Sequence, residues 1–157
     1  MDKAKKNKLE EVLSRFGEVY RAENVRGAEL PLYENLRVAC GTPIGGGDVS
    51  YPDKVDVLGM MCPKDAQSYF IKVKGDSMID AGIYSDDLVV INTTLMGYDD
   101  HDVLLCELNG EYTIKRVERR EDGVWLIPAN PDFADIQVKE GDNFQVWGKV
   151  AYVVHKM

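Results

Sequence analysis

Long apolar runs, cysteines and histidines are all scarce in this sequence. None of its 157 residues belongs to a run approaching the about 18 consecutive apolar side chains of a membrane-spanning helix. The N-terminal segment is charged and lacks the apolar core of a secretion signal. The three cysteines, Cys40, Cys62 and Cys106, form no Cys-x-x-Cys pair, and an odd number leaves one thiol unpaired in any disulfide scheme. We therefore expect a cytoplasmic protein that neither spans a membrane nor is secreted.

The charge of the chain is acidic overall and unevenly distributed. The formal net charge is -8, with 27 Asp and Glu against 19 Lys and Arg. The first 40 residues are nearly balanced, so the excess of carboxylates lies in residues 41–157. A nucleic-acid-binding domain normally carries a basic face. We therefore expect no direct nucleic-acid binding by residues 41–157, which have enough apolar residues for one compact domain.

Residues 1–40 are predicted to form an N-terminal arm. Apolar side chains recur there at steps of three and four, which predicts an amphipathic helix from about residue 8 to 20. These side chains are Leu9, Val12, Leu13, Phe16, Val19 and Tyr20. Asn7 and Glu10 suit the two ends of a capping box. Because a lone helix of about 12 to 15 residues is marginal in water, the apolar stripe is expected to pack on the body, a second copy or a dedicated partner.

Glycine and proline punctuate residues 24–52, which are predicted to be an extended connector. Residues 41–157 form the predicted body, and its first part, residues 41–54, is the flexible end of this connector. Three consecutive glycines occur at residues 45–47. No Gly-Lys-Ser/Thr follows them and no strand-turn-helix pattern frames them, so they do not predict a phosphate-binding loop.

The body carries the composition of a β protein. Six runs are rich in Val, Ile and aromatic residues. They are residues 69–73, 88–92, 103–108, 112–117, 124–127 and 144–154. Asn109-Gly110 between two of these runs is a strong signal for a tight hairpin. We predict a mainly β fold of short antiparallel strands, arranged as a meander or a partly closed barrel.

One serine and two histidines are candidates for nucleophilic catalysis. Ser77 lies in a turn between two predicted strands, where it is either a nucleophile or an ordinary turn or capping residue. His101 sits in an acidic turn and His155 near the C-terminus, and both stay open as a base for a Ser-His-Asp triad. A pair of Cys106 with His155 has no support in the pattern. Two histidines and scattered carboxylates also lack metal-ligand spacing, so no metal site is predicted.

Lys115 is the remaining candidate base. It lies in the predicted strand 112–117, where alternation places Thr113, Lys115 and Val117 on one face. Burial would lower the pKa of a lysine from ~10.4 toward about 7 to 8, where the neutral amine can accept a proton from serine. Both faces of this strand carry mixed side chains. Alternation therefore leaves open whether Lys115 is buried or solvated like Arg116.

Three motifs follow one another along the body. They are Val-Lys-Gly-Asp-Ser-Met-Ile-Asp-Ala-Gly-Ile at residues 73–83, Asp-Asp-Leu-Val-Val at 86–90 and Gly-Glu-Tyr-Thr-Ile-Lys-Arg at 110–116. In this order and at these separations they resemble the LexA/UmuD family of self-cleaving serine-lysine peptidases. Leu-Ile-Pro-Ala-Asn-Pro at 126–131 and Gly-Lys-Val at 148–150 extend the resemblance, which covers residues 38–157.

The resemblance implies a role for each matching residue. Ser77 is expected to be the nucleophile, Lys115 its base, and the backbone amides of Asp76 and Ser77 the oxyanion hole. The substrate is expected to be the chain's own arm, cut between Cys40 and Gly41, where a small residue followed by glycine resembles the scissile site of the family. The Cys-Gly pair resembles that of UmuD in particular. Cys40 is then a substrate residue and not a catalyst, and no metal or organic cofactor is implied.

Partners and biological role are also implied by the resemblance. It implies a homodimer, and a RecA filament on single-stranded DNA as the trigger of cleavage. An arm of 40 residues with one predicted helix is short for a helix-turn-helix domain. The architecture therefore resembles the UmuD branch, in which the truncated form joins a UmuC-like error-prone polymerase after DNA damage. The arm is nevertheless longer than in that branch, and its helix has no counterpart there.

Two further classes of function stay open. The first is a LexA-like or phage-type transcriptional repressor, or its C-terminal fragment, inactivated by the same self-cleavage. The second is a peptidase fold used as an interaction module without cleavage, or a signal-peptidase-like enzyme that acts on other chains. The lack of a membrane anchor in the sequence argues against a signal peptidase.

Overall fold

The computed structural model describes residues 20–21, 29–32, 53–62, 67–94 and 97–157. The strands are β1 (Tyr20–Arg21), β2 (Glu29–Leu32), β3 (Asp53–Asp56), β4 (Ser68–Lys72), β5 (Leu88–Asn92), β6 (Leu104–Leu108), β7 (Glu111–Arg120), β8 (Gly123–Ile127), β9 (Ile136–Val138) and β10 (Phe144–Val154). A short helix, α1 (Val57–Met61), follows β3, and one 3₁₀ turn (Ile79–Ala81) lies between β4 and β5.

Eight of the described strands form one antiparallel sheet in the order β1-β4-β5-β10-β6-β7-β8-β9. The prediction of a mainly β body of short antiparallel strands is confirmed. The sheet is not closed into a barrel, because β1 and β9 lie at its two ends. Strands β2 and β3 pair with each other as a separate two-stranded sheet.

The predicted strands 88–92 and 144–154 have the bounds that the structure gives to β5 and β10. Strand β7 runs on to Arg120, three residues beyond the predicted end. The hairpin between β6 and β7 turns at Asn109 and Gly110, with φ angles of 53° and 86°. These positive φ angles suit asparagine and glycine, which is why this dipeptide predicted the turn correctly.

Both faces of the main sheet are covered by apolar side chains. Successive residues of a strand point to opposite faces, so Leu105 packs in one cluster while Leu104 and Cys106 pack in another. The first cluster also includes Met78 and Ile83, which lie in the connection between β4 and β5. This connection is therefore fastened to the core on both sides of the 3₁₀ turn.

Strand β10 lies in the middle of the sheet, between β5 and β6, and changes register along both neighbours. Gly148 lies at one of these irregularities. A Cβ atom there would come within 2.6 Å of Ile91 Cγ2 and 2.8 Å of the backbone oxygen of Asn92. The close approach of strand β5 therefore requires glycine at this position.

Several predictions concern residues outside the described ranges. The predicted helix from about residue 8 to 20 lies outside them except for Tyr20, which belongs to β1 and pairs with Phe70 of β4. Within the predicted connector 41–54, only residues 53 and 54 are described, and they begin β3. No helix in the described ranges is long and apolar enough to cross a membrane.

Candidate active site

The loop that carries Ser77 is shaped by two glycines. Gly75 has a φ of 94° and its amide donates to Ser85 Oγ at 3.2 Å. Gly82 has a φ of 73° and ends the 3₁₀ turn, with its amide donating to the carbonyl of Ile79 at 2.9 Å. Residues that carry a Cβ atom rarely adopt such positive φ angles. Glycine at both positions therefore lets the backbone reverse direction on either side of Ser77.

The segment after β8 holds this loop in place. The amide of Ala129 donates to the carbonyl of Ser77 at 2.8 Å, and the amide of Asp80 donates to the carbonyl of Ala129 at 2.8 Å. The side-chain nitrogen of Asn130 donates to the carbonyl of Asp76 at 2.8 Å. Asn130 and Ala129 are both buried. The position of the Ser77 backbone is thus determined by contacts that do not involve its own hydroxyl.

Lys115 and Ser77 are brought into direct contact. Lys115 Nζ lies 2.7 Å from Ser77 Oγ, and it also lies 3.0 Å from Thr113 Oγ1 and 3.0 Å from the carbonyl oxygen of Ile114. A neutral amine has two hydrogens and one lone pair, and a carbonyl can only accept. The neutral amine can therefore donate to Thr113 and Ile114 while its lone pair accepts the hydroxyl proton of Ser77.

The surroundings of Lys115 favour this neutral form. The side chain is buried, with 6% of its surface exposed. Burial lowers the pKa of Lys115 below its ordinary value. A negative charge on Cys106 would raise the pKa of Lys115, and this is the smaller effect. Burial raises the pKa of Cys106 to about 12, so that thiol is uncharged at neutral pH. Lys115 forms no ion pair within the described part of the chain. Lys115 is therefore buried, and the alternative of a solvated strand lysine is wrong.

Two backbone amides next to the Ser77 hydroxyl remain available. Those of Asp76 and Ser77 donate to no other group among the described residues. Unpaired amides beside a nucleophile are what an oxyanion hole requires. The oxyanion-hole role of these amides stays a prediction.

A cleft of about 300 Å³ opens beside Ser77. Its walls come from the end of β4, the Ser77 loop, β6 and β7, and they are mainly apolar. The lining residues are Ile71, Lys72, Val73, Lys74, Gly75, Ser77, Met78, Ile83, Leu105, Tyr112, Thr113 and Ile114. An extended peptide with small or apolar side chains suits such a cleft.

Neither histidine is a hydrogen-bond partner of Ser77 in the described structure. His155 Nδ1 lies 2.6 Å from Asp87 Oδ1, and its ring lies against that of Tyr84. The pKa of Asp87 is lowered by the backbone amide of Tyr84 and further by His155. His101 is exposed in its turn. These contacts give a Ser-His-Asp triad no support.

Cys106 and His155 do not form a catalytic pair. Cys106 is fully buried and its thiol lies near the carbonyl of Leu104, whereas His155 bonds to Asp87. Within the described residues, no group of three or more His, Cys, Asp or Glu could hold a metal ion.

The predicted cleavage site, Cys40 and Gly41, lies outside the described residues. The strands that flank it are described, and Leu32 of β2 pairs with Asp53 of β3. The described residues that flank residues 33–52 are therefore adjacent. This pairing and the supporting roles of Ala129 and Asn130 were not predicted, because each depends on contacts between distant parts of the chain.

Known proteins resemble this chain over most of its length. Residues 31–151 match the Peptidase S24-like family. The LexA repressor of Syntrophotalea carbinolica is 36% identical over 141 residues, which are 90% of this chain and 67% of that protein. The LexA repressor of Xylella fastidiosa is 36% identical over 114 residues, 71% of this chain and 52% of that protein.

A LexA repressor 2 from Xanthomonas oryzae pv. oryzae is 35% identical over 127 residues, 81% of this chain and 58% of that protein. The chain spans about half to two thirds of the length of these curated relatives. The match to the family nevertheless includes the Ser77 loop, β6, β7 and most of β10. By this match, the chain belongs to the Peptidase S24-like family.

Proposed function

We propose that this chain is a self-cleaving serine peptidase of the LexA repressor type, with Ser77 as nucleophile, Lys115 as base and the bond between Cys40 and Gly41 as substrate. The observation that carries the proposal is the 2.7 Å contact between Lys115 Nζ and Ser77 Oγ at the edge of an apolar cleft. Membership of a peptidase family supports it. A serine and a neutral amine at hydrogen-bond distance form the nucleophile and base that acyl transfer requires.

The reaction starts with Ser77 Oγ attacking the carbonyl carbon of Cys40 while Lys115 Nζ takes the hydroxyl proton. The bond from that carbon to the amide nitrogen of Gly41 then breaks. The nitrogen receives the proton from Lys115 and leaves as a new N-terminus. A water molecule, deprotonated by the neutral amine, then attacks the ester carbon. The bond from that carbon to Ser77 Oγ breaks, Oγ takes the proton back from Lys115, and Cys40 is left with a free carboxyl group.

The amides of Asp76 and Ser77 stabilise the negative oxygen that forms during both steps. Glycine after the scissile bond permits backbone angles that other residues rarely adopt, which we expect to ease entry of the scissile bond into the cleft. When cleavage occurs within one chain, the tether gives the scissile bond a high effective concentration at Ser77. Cleavage within one chain or between two copies is compatible with this chemistry.

Intact-mass spectrometry of the purified chain tests the cleavage directly. The protein is incubated with and without RecA assembled on single-stranded DNA, alongside Ser77→Ala as the matched control. Two fragments are expected, one ending at Cys40 and one beginning at Gly41, and neither is expected from Ser77→Ala. A cut at another bond would overturn the assignment of the site.

The biological role that the comparisons favour is that of a repressor that loses its activity on cleavage. The relatives described above carry the name LexA repressor, and none of them carries the name UmuD. In this role the chain acts as a homodimer, and a RecA filament formed after DNA damage triggers its cleavage. This role differs from the one expected from the sequence, that of a polymerase accessory subunit.

The accessory role remains the second candidate, since the Cys-Gly pair at residues 40 and 41 resembles the UmuD scissile site. The two roles differ in what the protein binds. A repressor binds the promoters of damage-inducible genes before cleavage and releases them afterwards. An accessory subunit instead gains affinity for an error-prone polymerase after cleavage. Promoter binding and polymerase capture, each measured with the intact chain and with the chain cut at Cys40, separate them.

A further inference from the structure

A buried carboxylate lies behind the wall of the cleft. Glu107 of β6 is 4% exposed, and its Oε2 atom accepts hydrogen bonds from Tyr112 Oη at 2.9 Å and from Trp147 Nε1 at 2.8 Å. Glutamate is seldom buried unless its charge is satisfied. Removing one partner of such a group leaves the other donor or acceptor unsatisfied in an apolar environment. Loss of either hydrogen bond to Glu107 is therefore expected to disturb the side chains around it, including Tyr112, which lines the cleft.

The two donors come from the strands on either side of β6. Tyr112 lies on β7 directly opposite Glu107, and Trp147 lies on β10. The Tyr112 and Trp147 rings also face each other, with their centres 6.3 Å apart. One carboxylate oxygen thus accepts a hydrogen bond from each neighbouring strand. The Tyr112 side chain is therefore fixed at its hydroxyl end as well as at its backbone.

Among the described residues that line the cleft, Tyr112 is the only aromatic one. Its neighbours there include Ile71 and Ile114, whose branched side chains are shorter. A ring fixed at both ends cannot swing aside to admit a larger group, whereas a ring held only at its backbone could change rotamer. Tyr112 and Ser77 line the same cleft, so the contact between Tyr112 and Glu107 bears on the shape of the space into which Ser77 faces.

We propose that Glu107 is a positioning residue that holds Tyr112 as a rigid wall of the cleft and thereby restricts the residue before the scissile bond to a small side chain. The inference rests on the proposed function, since that residue is Cys40 only if Ser77 attacks its carbonyl carbon. The side chain of Cys40 is then two bonds from the reacting carbon and must lie in the same cleft as Ser77. Glu107 touches neither the substrate nor the reacting atoms and acts through Tyr112.

A size-exchange experiment on the full chain tests this role. Spontaneous cleavage is followed by intact-mass spectrometry at alkaline pH, with Cys40 unchanged and with Cys40→Leu. The quantity compared is the ratio of the two cleavage rates, which cancels any general loss of activity. Enlarging the side chain is expected to slow cleavage by about 10-fold to 100-fold in the otherwise unaltered chain, the range that pocket size usually controls.

Variants of the wall should change this ratio in a set order. Tyr112→Ala and Glu107→Leu are expected to bring the ratio within about threefold of unity, because the wall is missing or free to move. Glu107→Gln is expected to retain the discrimination, since its amide oxygen can accept both hydrogen bonds in a side chain of the same shape. Tyr112→Phe keeps the ring but loses its hydrogen bond, so an intermediate ratio is expected.

The outcomes separate the inference from the proposed function. Absence of cleavage in the unaltered chain, or cleavage by Ser77→Ala, would overturn both. If Glu107→Leu cleaves normally and keeps the same ratio of rates as the unaltered chain, the role of Glu107 alone is overturned. The same conclusion follows if Glu107→Leu and Glu107→Gln change that ratio equally. If circular dichroism shows that Glu107→Leu is unfolded, Tyr112→Phe decides, and an unaltered ratio in that variant contradicts the inference.

Discussion

Lys115 Nζ lies 2.7 Å from Ser77 Oγ, although 38 positions of sequence separate the two residues. The lysine comes from β7 in the sheet, and the serine comes from a loop that the segment after β8 holds in place. Burial lowers the pKa of the lysine, which suits it to accept the proton of the serine. The contact therefore combines two properties that a base needs, which are reach to the hydroxyl and a pKa lowered by burial.

Replacement of Ser77 by alanine is expected to slow cleavage by at least about 10⁴-fold, as the loss of a catalytic serine does in other peptidases. The substitution removes one oxygen atom from a half-buried turn and creates no core cavity. Its thermal unfolding should therefore resemble that of the unaltered protein. Cleavage at an unchanged rate would show that Ser77 is not the nucleophile.

The rate of spontaneous cleavage is expected to rise with pH and level off above the pKa of Lys115. A lysine can act as a base only when neutral, and the lowered pKa of Lys115 places this expected rise below the pH at which an exposed lysine loses its proton. Lys115→Arg should be inactive at every pH, because a guanidinium stays charged. The measurement is the cleavage rate of the purified chain across a pH series.

The matched controls for this pH profile are His101→Ala and His155→Ala, which should keep it unchanged. An active Lys115→Arg variant would contradict the serine-lysine pair. So would a profile that disappears on removal of either histidine, even if Ser77 proved essential.

Lys115→Met is expected to make the protein more stable at neutral pH. The pKa of Lys115 is lower in the folded state than in the unfolded state, so folding opposes its positive charge. The resulting cost is fully present below the folded pKa and disappears as the pH rises from that value to the unfolded value of ~10.4. Methionine carries no charge and has a similar length.

The measurement is the free energy of unfolding of both proteins by urea at several pH values. The advantage of the methionine variant should shrink as the pH approaches the unfolded pKa. A difference that does not change with pH would mean that the charge of Lys115 is not what destabilises the fold.

Gly148→Ala is expected to lower the free energy of unfolding by about 3 kcal/mol, toward the upper end of the usual cost of overpacking. The added Cβ atom would meet a backbone oxygen at 2.8 Å, which cannot move without shifting strand β5. Gly141→Ala is the control. Nothing lies within 4 Å of a Cβ atom there, but its φ of 92° is unfavourable for alanine, so a cost of about 1 kcal/mol is expected.

Denaturant unfolding of the two glycine variants gives the comparison. A Gly148→Ala variant no less stable than Gly141→Ala would contradict the close packing between β10 and β5.

Local sequence patterns predicted the strands well where a run was rich in Val, Ile and aromatic residues. Strands β5 and β10 have the predicted bounds, and the turn at Asn109 and Gly110 follows from their tolerance of positive φ angles. Strand β9 has only three residues, and β3 contains two aspartates, so neither carries the apolar signal of a strand. Both form because a neighbouring strand supplies the hydrogen bonds.

The sequence by itself determined that the chain is mainly β, and the resemblance of its motifs to a known family predicted Ser77 as nucleophile and Lys115 as base. It did not determine whether Lys115 is buried, because both faces of its strand are mixed in polarity. Only the tertiary structure decided this, by packing β7 between β6 and β8 and bringing the Ser77 loop against it. The roles of Asn130 and Glu107 were likewise invisible in the sequence. Burial and hydrogen bonds between distant residues depend on which strands become neighbours in the sheet. A local sequence pattern does not specify these neighbours.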